Sequence, residues 1–210
     1  MKENFTTIAV ILDKSSSMST LREETICSFN KFLKEQKETP GEVSFMLGVF
    51  SHNYNTVYDF VPLQEVSELN DEIYITRGST ALLDAMGITI DNLGQKLSNL
   101  PENQRPSKVL VLVITDGEEN ASSKFSLEQI KEKVQHQQEV YNWTFVFIGA
   151  NIDAFQVGGS LGVSTNNSLQ YIPTAAGTNE MYNVVSRNTI RYRSSIDSRT
   201  ANFFDDKDKN

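Results

Sequence analysis

Lys108-Val109-Leu110-Val111-Leu112-Val113-Ile114-Thr115 is the most apolar stretch of the chain, and it ends at Asp116-Gly117. A short apolar run rich in β-branched residues predicts a strand that is buried on both faces. Phe5 to Leu12 repeats the pattern, and Asp13 follows it directly. Helical patterns separate the apolar runs along the chain. We therefore predict an α/β fold with a doubly wound, mostly parallel central sheet and helices on both faces.

The segments around these two runs predict the remaining elements. Tyr54 to Val61 alternates after the turn at His52-Asn53, which predicts an edge strand hairpinned to the strand from Val43 to Phe50. In the first half of the chain, a capping box of Thr20 and Glu23 opens a predicted helix that Pro40-Gly41 ends, and a short helix is predicted near Val66 to Leu69.

A long helix is predicted after Thr80, and its buried stripe consists of Leu82, Ala85, Met86, Ile90, Leu93 and Leu97. A second capping box, of Ser126 and Gln129, opens a helix that runs to about Val140. The remaining predicted elements are a strand from Trp143 to Ile148, a weak helix from Asp153 to Leu161, a short strand near Leu169 to Ile172 and a helix from about Thr178 to Ser194.

The composition narrows the class of protein. The chain has 210 residues, a formal net charge of −8 and one cysteine, Cys27, which we expect to be a buried thiol in a reducing compartment. Phosphate binding needs concentrated Lys and Arg, so the acidic balance disfavours a nucleic-acid partner. No apolar run approaches the roughly 20 residues that cross a bilayer. The sequence from Met1 to Asn4 leads straight into a strand without a visible signal peptide, so we expect a cytoplasmic protein without a membrane partner.

The chain shows no internal repeat or Pro/Gly linker that would divide it. We therefore predict one domain over residues 1–196. Residues 197–210 end in the mostly charged stretch Phe203 to Asn210, which predicts a flexible acidic C-terminal tail.

Polar clusters follow the predicted strands, at the edge where α/β sheets bind their ligands. Asp13-Lys14-Ser15-Ser16-Ser17 follows the first strand, Asp116 follows the strand through Ile114, and Thr80 opens a helix. Alternate residues of an extended loop point the same way, so Asp13, Ser15 and Ser17 can converge. Carboxylates and hydroxyls are oxygen donors of the kind that Mg²⁺ prefers. Each piece also has an ordinary explanation, since Ser-rich loops and Asp-Gly are common turns and Thr80 could be a helix N-cap.

Taken together, these pieces resemble the von Willebrand factor A (VWA) family and its metal-ion-dependent adhesion site. That site has the pattern Asp-x-Ser-x-Ser, then a distant Thr, then a distant Asp. Here Asp13-Lys14-Ser15-Ser16-Ser17, Gly78-Ser79-Thr80 and Thr115-Asp116-Gly117 match the pattern in order and in context. The resemblance is clear over about residues 5 to 150 and weaker through residues 151 to 195, and the chain looks like the compact standalone forms found in bacteria and their phages.

The resemblance implies a Rossmann-like sheet with one antiparallel edge strand, and a site for Mg²⁺, with Mn²⁺ or Ca²⁺ as other candidates. It implies that Ser15, Ser17 and Thr80 coordinate the ion directly or through water. It also implies that Asp13 and Asp116 hold the ion largely through water. A partner protein's Asp or Glu would complete the coordination shell.

Other polar residues have weaker claims to a function. Glu118 and Glu119 follow Asp116, and they are expected at the rim of the site or in a solvated loop. Asn151 and Asp153 follow a neighbouring strand and are secondary candidates beside a turn and helix cap. We expect five further polar residues on solvated surfaces: His52, His136, Arg187, Arg191 and Arg193. As an alternative, the three arginines could form a patch that binds an acidic partner.

The leading hypothesis is a non-catalytic, metal-dependent protein-binding module, because the oxygen donors come without an obvious nucleophile and base pair. One alternative is a Mg²⁺-dependent hydrolase in which the metal and Asp116 orient a water. No phosphate-binding loop of the Gly-x-x-x-x-Gly-Lys-Ser/Thr type supports that alternative. The other alternative is an assembly subunit whose metal site only stabilises the fold.

Overall fold

The two apolar runs lie side by side at the centre of the sheet. A computed structural model describes residues 1–195 and 202–209 of the chain, and within those residues six strands form one sheet in the order β3-β2-β1-β4-β5-β6. The strands are β1 (Lys2–Asp13), β2 (Glu42–Phe50), β3 (Tyr54–Pro62), β4 (Pro106–Thr115), β5 (Thr144–Gly149) and β6 (Ser168–Gln170). All neighbours are parallel except β2 and β3, whose antiparallel hairpin places β3 at an edge. The predicted fold class is confirmed.

Helices cover both faces of the sheet because the buried strands are apolar on both faces. They are α1 (Arg22–Glu38), α2 (Leu82–Asn99), α3 (Leu127–Tyr141), α4 (Ala154–Ser160) and α5 (Ala175–Ser194). On β4, Leu110, Leu112 and Ile114 belong to the core shared with α1 and α5. The alternate residues Val109, Val111 and Val113 belong to the core shared with α2, α3 and α4. One apolar run therefore supplies both cores.

Local signals placed two of the helices well. The capping box of Ser126 and Gln129 is present at the start of α3, where each side chain bonds the other residue's backbone N–H. The stripe predicted for α2 is buried throughout, from Leu82 to Leu97. Both signals depend on residues three or four apart, which is the range over which a helix organises itself.

The capping box predicted at Thr20 is wrong. Residues Ser16–Leu21 form a 3₁₀ helix that buries Met18 and Leu21, and α1 begins only at Arg22. Burial of these two apolar side chains stabilises the 3₁₀ conformation, so the α-helix begins only after them. Tertiary packing thus overrides the local capping signal.

The short helix predicted near Val66 to Leu69 is also absent from the described structure. A 3₁₀ turn covers Leu63–Glu65 instead, and the chain then continues without regular structure. The backbone N–H of Leu69 donates to Oδ1 of Asn30 at 2.7 Å, and the carbonyl of Leu69 accepts from Nδ2 of Asn30 at 2.9 Å. A side chain on α1 therefore satisfies the groups that a helix would have paired internally.

Cys27 is exposed, which corrects the expectation of a buried thiol. The core-facing side of α1 is formed by Thr25, Phe29, Phe32 and Leu33. Cys27 precedes Phe29 by two residues, or roughly 200° around the helix, so it faces solvent.

Part of the predicted flexible tail packs against the domain. Phe203 and Phe204 are 3% and 1% exposed, and both belong to the core beneath α5. The Phe203 ring also lies near Tyr192, with 6.4 Å between ring centroids. The structure thus differs from a flexible tail over residues 202–209, while residues 197–201 and Asn210 lie outside the described residues. None of the helices in the described ranges is long and apolar enough to span a membrane.

Candidate metal centre

The candidate centre lies at the carboxyl ends of β1 and β4, which are paired neighbours in the sheet. The chain winds from β1 to β2 on one side and returns to β4 on the other, so this is the point where strand order reverses. Asp13 is the last residue of β1, and Asp116 directly follows β4. Parallel strands in this register bring the two carboxylates to the same edge.

Two hydrogen bonds fix the buried carboxylate of Asp13. Its Oδ1 accepts from the backbone N–H of Ser15 at 2.6 Å, and its Oδ2 accepts from the hydroxyl of Thr115 at 2.6 Å. The Tyr74 hydroxyl donates to the Asp13 carbonyl at 2.5 Å. Asp13 therefore ties the loop after β1 to the end of β4.

The two serines converge as predicted, although Ser17 lies in the 3₁₀ helix and not in the extended loop that the prediction assumed. The hydroxyls of Ser15 and Ser17 lie 3.0 Å apart, and the Ser17 hydroxyl donates to Oδ1 of Asp116 at 2.6 Å. This chain of contacts links the Asp-x-Ser-x-Ser segment to the second aspartate, although the two are about a hundred residues apart in sequence.

Thr80 enters the same cluster from the start of α2. A Cβ built on Gly117 would lie 3.5 Å from both the Ser17 Oγ and the Thr80 Oγ1. The missing side chain at Gly117 therefore leaves space open beside both hydroxyls. With Thr80, the structure brings all five predicted site residues together; their role as metal ligands stays a prediction.

Backbone hydrogen bonds hold the surrounding loops in register. The Ser16 N–H donates to the Gly78 carbonyl at 2.9 Å, and the Arg77 N–H donates to the Lys14 carbonyl at 2.9 Å. Gly78 has a φ of +83°, and a Cβ there would lie 2.3 Å from Nδ1 of His52. Glycine is needed at this position for both reasons.

Asn120 holds Thr80 by two hydrogen bonds. The Asn120 Oδ1 accepts from the Thr80 N–H at 2.9 Å, and the Asn120 N–H donates to the Thr80 carbonyl at 3.0 Å. Asn120, Thr115 and Tyr74 were not predicted as site residues from the sequence. Thr115 lies inside the matched Thr-Asp-Gly segment, which was a usable signal, whereas no local pattern marks Asn120 or Tyr74.

The charge balance of the cluster favours a cation. Burial raises the pKa of Asp13 to about 6, and burial also raises the pKa of Asp116. Among the described residues, neither carboxylate forms an ion pair with Lys, Arg or His. Two buried acids without a basic partner are costly unless a cation joins them.

The donor set itself is two carboxylates and three hydroxyls. Within the described residues, no group of three or more His, Cys, Asp or Glu side chains is arranged to hold a metal. An all-oxygen set that includes neutral hydroxyls fits a hard divalent cation such as Mg²⁺, and it lacks the sulfur and nitrogen ligands that zinc and copper prefer.

A sequence profile of the von Willebrand factor type A domain matches residues 7–194. The chain belongs to the von Willebrand factor type A family. The match extends beyond residue 150, where the sequence resemblance had weakened, and it covers α4, β6 and α5 of this VWA domain.

One curated relative of this VWA domain matches at low identity. It is 28% identical over 145 residues to the "Probable bifunctional E2/E3 enzyme R795" of Acanthamoeba polyphaga mimivirus, a match that covers 65% of the chain but only 10% of the viral protein.

Solved structures share the fold. Proximal thread matrix protein 1 of the mussel byssus, solved with a zinc-occupied MIDAS motif, aligns with a TM-score of 0.61 and 14% identity over 90% of this chain and 47% of its own. A von Willebrand factor type A structure from Catenulispora acidiphila aligns with a TM-score of 0.55 and 13% identity over 90% of this chain and 43% of its own.

Of the secondary candidate residues in the VWA domain, two are bonded to backbone groups and the other two are exposed. The Glu119 carboxylate accepts from the backbone N–H groups of Leu83, Ala121 and Ser122, so it organises the loop after β4. Asp153 is the N-cap of α4, which confirms the simpler reading of that residue. Glu118 and Asn151 are exposed.

The C-terminal arginines bind the chain's own residues. Arg187 pairs with Asp208, and Arg191 pairs with Asp205. Arg193 is buried and donates to the backbone carbonyls of Gln36 and Thr39. These contacts hold residues 202–209 and the end of α1 against α5, in place of the acidic-partner patch considered from the sequence.

Proposed function

We propose that this VWA domain is a non-catalytic protein-binding module that holds Mg²⁺ at Asp13, Ser15, Ser17, Thr80 and Asp116 and captures an acidic residue of a partner protein. The observation that carries the proposal is the convergence of three hydroxyls with two buried carboxylates that form no ion pair in the described part of the chain, at the switch point of the sheet.

Each side chain has a role that its contacts suggest. Asp13 is held at both oxygens, so it orients the loop that presents Ser15 and Ser17. Asp116 accepts from Ser17, so it keeps that hydroxyl within the cluster. Thr80 arrives from a separate element and closes the set. A bound divalent cation would offset the buried negative charge and attract a partner's carboxylate.

The choice of metal rests on the donors of this chain. The mussel byssus protein carries zinc in its MIDAS motif, which supports a divalent cation at this position of the fold. The oxygen-only donors and their small hydroxyls favour Mg²⁺, with Mn²⁺ and Ca²⁺ as competitors.

The hydroxyl contacts support a non-catalytic role. An activated nucleophile needs an adjacent base, most often a histidine. In the described residues, the Ser15 and Ser17 hydroxyls bond to each other and to Asp116, while His52 contacts the Ser51 hydroxyl at 3.5 Å. An acidic domain with one exposed thiol also suits the reducing cytoplasm, which is the location we propose.

Isothermal titration with Mg²⁺ and with Mn²⁺ tests the metal site. We expect saturable binding to the intact chain and a loss of at least about tenfold in affinity in Ser15→Ala, Thr80→Val and Asp116→Asn. Ser79→Ala is the matched control, because Ser79 is an exposed hydroxyl beside Thr80. Equal affinity in Ser79→Ala and Thr80→Val would contradict the assignment.

The non-catalytic claim has its own test. We expect a panel of phosphoester substrates to show no Mg²⁺-dependent turnover by the purified chain. Turnover that disappears in Asp116→Asn would replace the binding function with a hydrolase.

A further inference from the structure

A pair of basic residues flanks the candidate metal centre on its β2 side. Lys14 lies between Asp13 and Ser15 where β1 passes into its following loop, and Arg77 immediately precedes the Gly78-Ser79-Thr80 segment. The Arg77 N–H donates to the Lys14 carbonyl at 2.9 Å, so the two residues are joined by their backbones. The loop after β1 and the segment before α2 both supply hydroxyls of the centre, and each of them carries one basic residue where the two segments meet.

The backbone at both positions is fixed. The Lys14 N–H donates to the carbonyl of Phe50, the last residue of β2, at 2.7 Å. The segment before Arg77 is held by Arg22, whose Nε donates to the Tyr74 carbonyl at 2.9 Å and whose guanidinium pairs with Asp71. A rigid frame of this kind lowers the entropy cost of presenting two charges to a ligand.

These two cations lack an acidic partner in the described part of the chain. The ion pairs found there use Lys2, Arg22, Lys96, Lys133, Arg187 and Arg191. The chain carries 27 acidic residues against 19 lysines and arginines, so partners for a basic pair are abundant in sequence. An unpaired, like-charged pair beside the site repels itself and favours an anion from outside.

The opposite flank of the centre has the other sign. Glu118 follows Asp116-Gly117 and is exposed, whereas the neighbouring Glu119 is occupied by backbone N–H groups. The segments at the β2 side of the rim therefore carry two basic residues, and the loop after β4 carries an exposed acidic residue. A partner that carries more than one carboxylate has one favourable orientation on such a rim.

We propose that Lys14 and Arg77 select protein partners in which a second Asp or Glu lies close in sequence to the carboxylate that meets the metal. This inference rests on the proposed function and specifies its partner class. The recognised element is an acidic segment with two carboxylates: one at the metal centre, and one at the Lys14 and Arg77 pair. Because Arg77 is exposed and Lys14 is only half-buried, the second contact contributes to selectivity and association rate more than to total affinity.

A displayed library of random heptapeptides, bound in Mg²⁺ and eluted with chelator, tests the proposal on the full chain. We expect peptides eluted from the wild-type chain to be enriched in pairs of acidic residues. The Lys14→Gln/Arg77→Gln double variant should still bind peptides that chelator elutes, but these peptides should share only one acidic residue and show no enrichment of a second. Lys34→Gln, which removes an exposed charge on α1, should select the same peptides as wild type.

Resynthesised peptides then give the size of the effect. Arg77→Gln should weaken binding of a two-acid peptide by about twofold to fivefold and leave its single-acid Asp→Asn analogue nearly unchanged. High salt should reduce the difference. The Mg²⁺ affinity of Arg77→Gln should not fall, because loss of a nearby positive charge favours a cation; loss of peptide binding would then be independent of the metal.

The possible failures are distinct. Identical acidic content in peptides from wild type and the double variant overturns the role of Lys14 and Arg77 but leaves metal-dependent capture intact. Absence of any chelator-eluted peptide from wild type overturns both the inference and the partner-capture function, and the Mg²⁺ titration shows separately whether the metal site exists.

Discussion

Asp13 shows how burial sets the chemistry of a single residue. It is fully buried and bonded at both carboxylate oxygens, yet burial outweighs those bonds and raises its pKa from near 3.8 to about 6. In the absence of metal, the folded state therefore binds more protons than the unfolded state between these two values. The contribution of Asp13 to stability is complete below about pH 4 and is lost as the pH rises through about 6.

Stability measured against pH tests this sign. In chelator, the unfolding free energy of the wild type relative to Asp13→Asn should rise as the pH falls from about 7 to about 4, by up to about 3 kcal/mol. Saturating Mg²⁺ should suppress the trend, since the metal requires the ionised carboxylate. Urea unfolding at several pH values is the measurement. Parallel pH profiles for wild type and Asp13→Asn would contradict it.

Asn120 is the positioning residue that links the loop after β4 to Thr80. Asn120→Ala removes the acceptor for the Thr80 N–H and should weaken Mg²⁺ binding roughly tenfold. Asn120→Asp retains an acceptor oxygen and should recover most of the affinity. Calorimetric titration of both variants is the check. Equal Mg²⁺ affinity in Asn120→Ala and wild type would show that Thr80 is positioned without this contact.

Residue-level prediction from sequence succeeded where the signal was local. Asp13, Ser15 and Ser17 lie within five positions and converge as predicted, but the 3₁₀ helix that begins at Ser16, and not strand alternation, places the Ser17 hydroxyl beside that of Ser15. Asn120 and Tyr74 act on residues 40 and 61 positions away, and contacts over that distance depend on how the loops cross in three dimensions.

At the scale of elements, the end of α5 is held by a buried lysine on the central strand β4. The Lys108 Nζ donates to the carbonyls of Tyr192 at 3.1 Å and Arg193 at 2.7 Å, and also to that of Ser195. The last carbonyls of a helix have no partner inside the helix, and a cation there also interacts favourably with the helix dipole. Lys108 on β4 thus caps the carboxyl end of α5, which is distant from it in sequence.

Lys108→Met should test the importance of this cap. We expect a loss of about 1–3 kcal/mol in unfolding free energy, because buried carbonyls lose a charged donor. Lys34→Met, at an exposed position of α1, should stay within about 0.5 kcal/mol of wild type. Denaturant unfolding of both variants gives the comparison, and an equally small effect for the two would argue against the cap.

Elements with strong periodicity were predicted nearly to their ends, whereas weaker segments were decided by packing. The α2 stripe and the β2–β3 hairpin matched because their patterns repeat over several turns or residue pairs. The 3₁₀ helix at Ser16–Leu21 and the irregular chain through Leu69 did not, because buried side chains and the Asn30 amide determine those conformations.

At the scale of the whole molecule, residues 202–209 pack onto the domain. Phe204 is 1% exposed, and its N–H donates to the Asn166 carbonyl at 3.0 Å. The ion pairs of Arg187 with Asp208 and of Arg191 with Asp205 add charge complementarity to this contact. We therefore propose that the structural unit extends past residue 196 to include this segment.

Truncation of the buried ring tests that extension. Phe204→Ala should lower the unfolding free energy by about 3–5 kcal/mol, the range expected for a large aromatic side chain in a core. Ile172→Ala is the control, because Ile172 is 70% exposed and should cost little. Chemical denaturation at a fixed Mg²⁺ concentration compares them. A loss of unfolding free energy in Phe204→Ala as small as that in Ile172→Ala would indicate that this segment is a flexible tail.

The sequence by itself predicted the layered sheet and the meeting of Asp13 and Asp116, because apolar runs make buried strands and parallel strands end together at one edge. The resemblance to the family completed the set with Ser15, Ser17 and Thr80, and the role of all five residues as metal ligands stays a prediction. Only the tertiary structure decided that Cys27 is exposed, that Phe203 and Phe204 are buried, and that Asn120 holds Thr80. These outcomes depend on which surfaces meet after the chain has folded back on itself, and local propensity does not encode which distant partner a side chain will find.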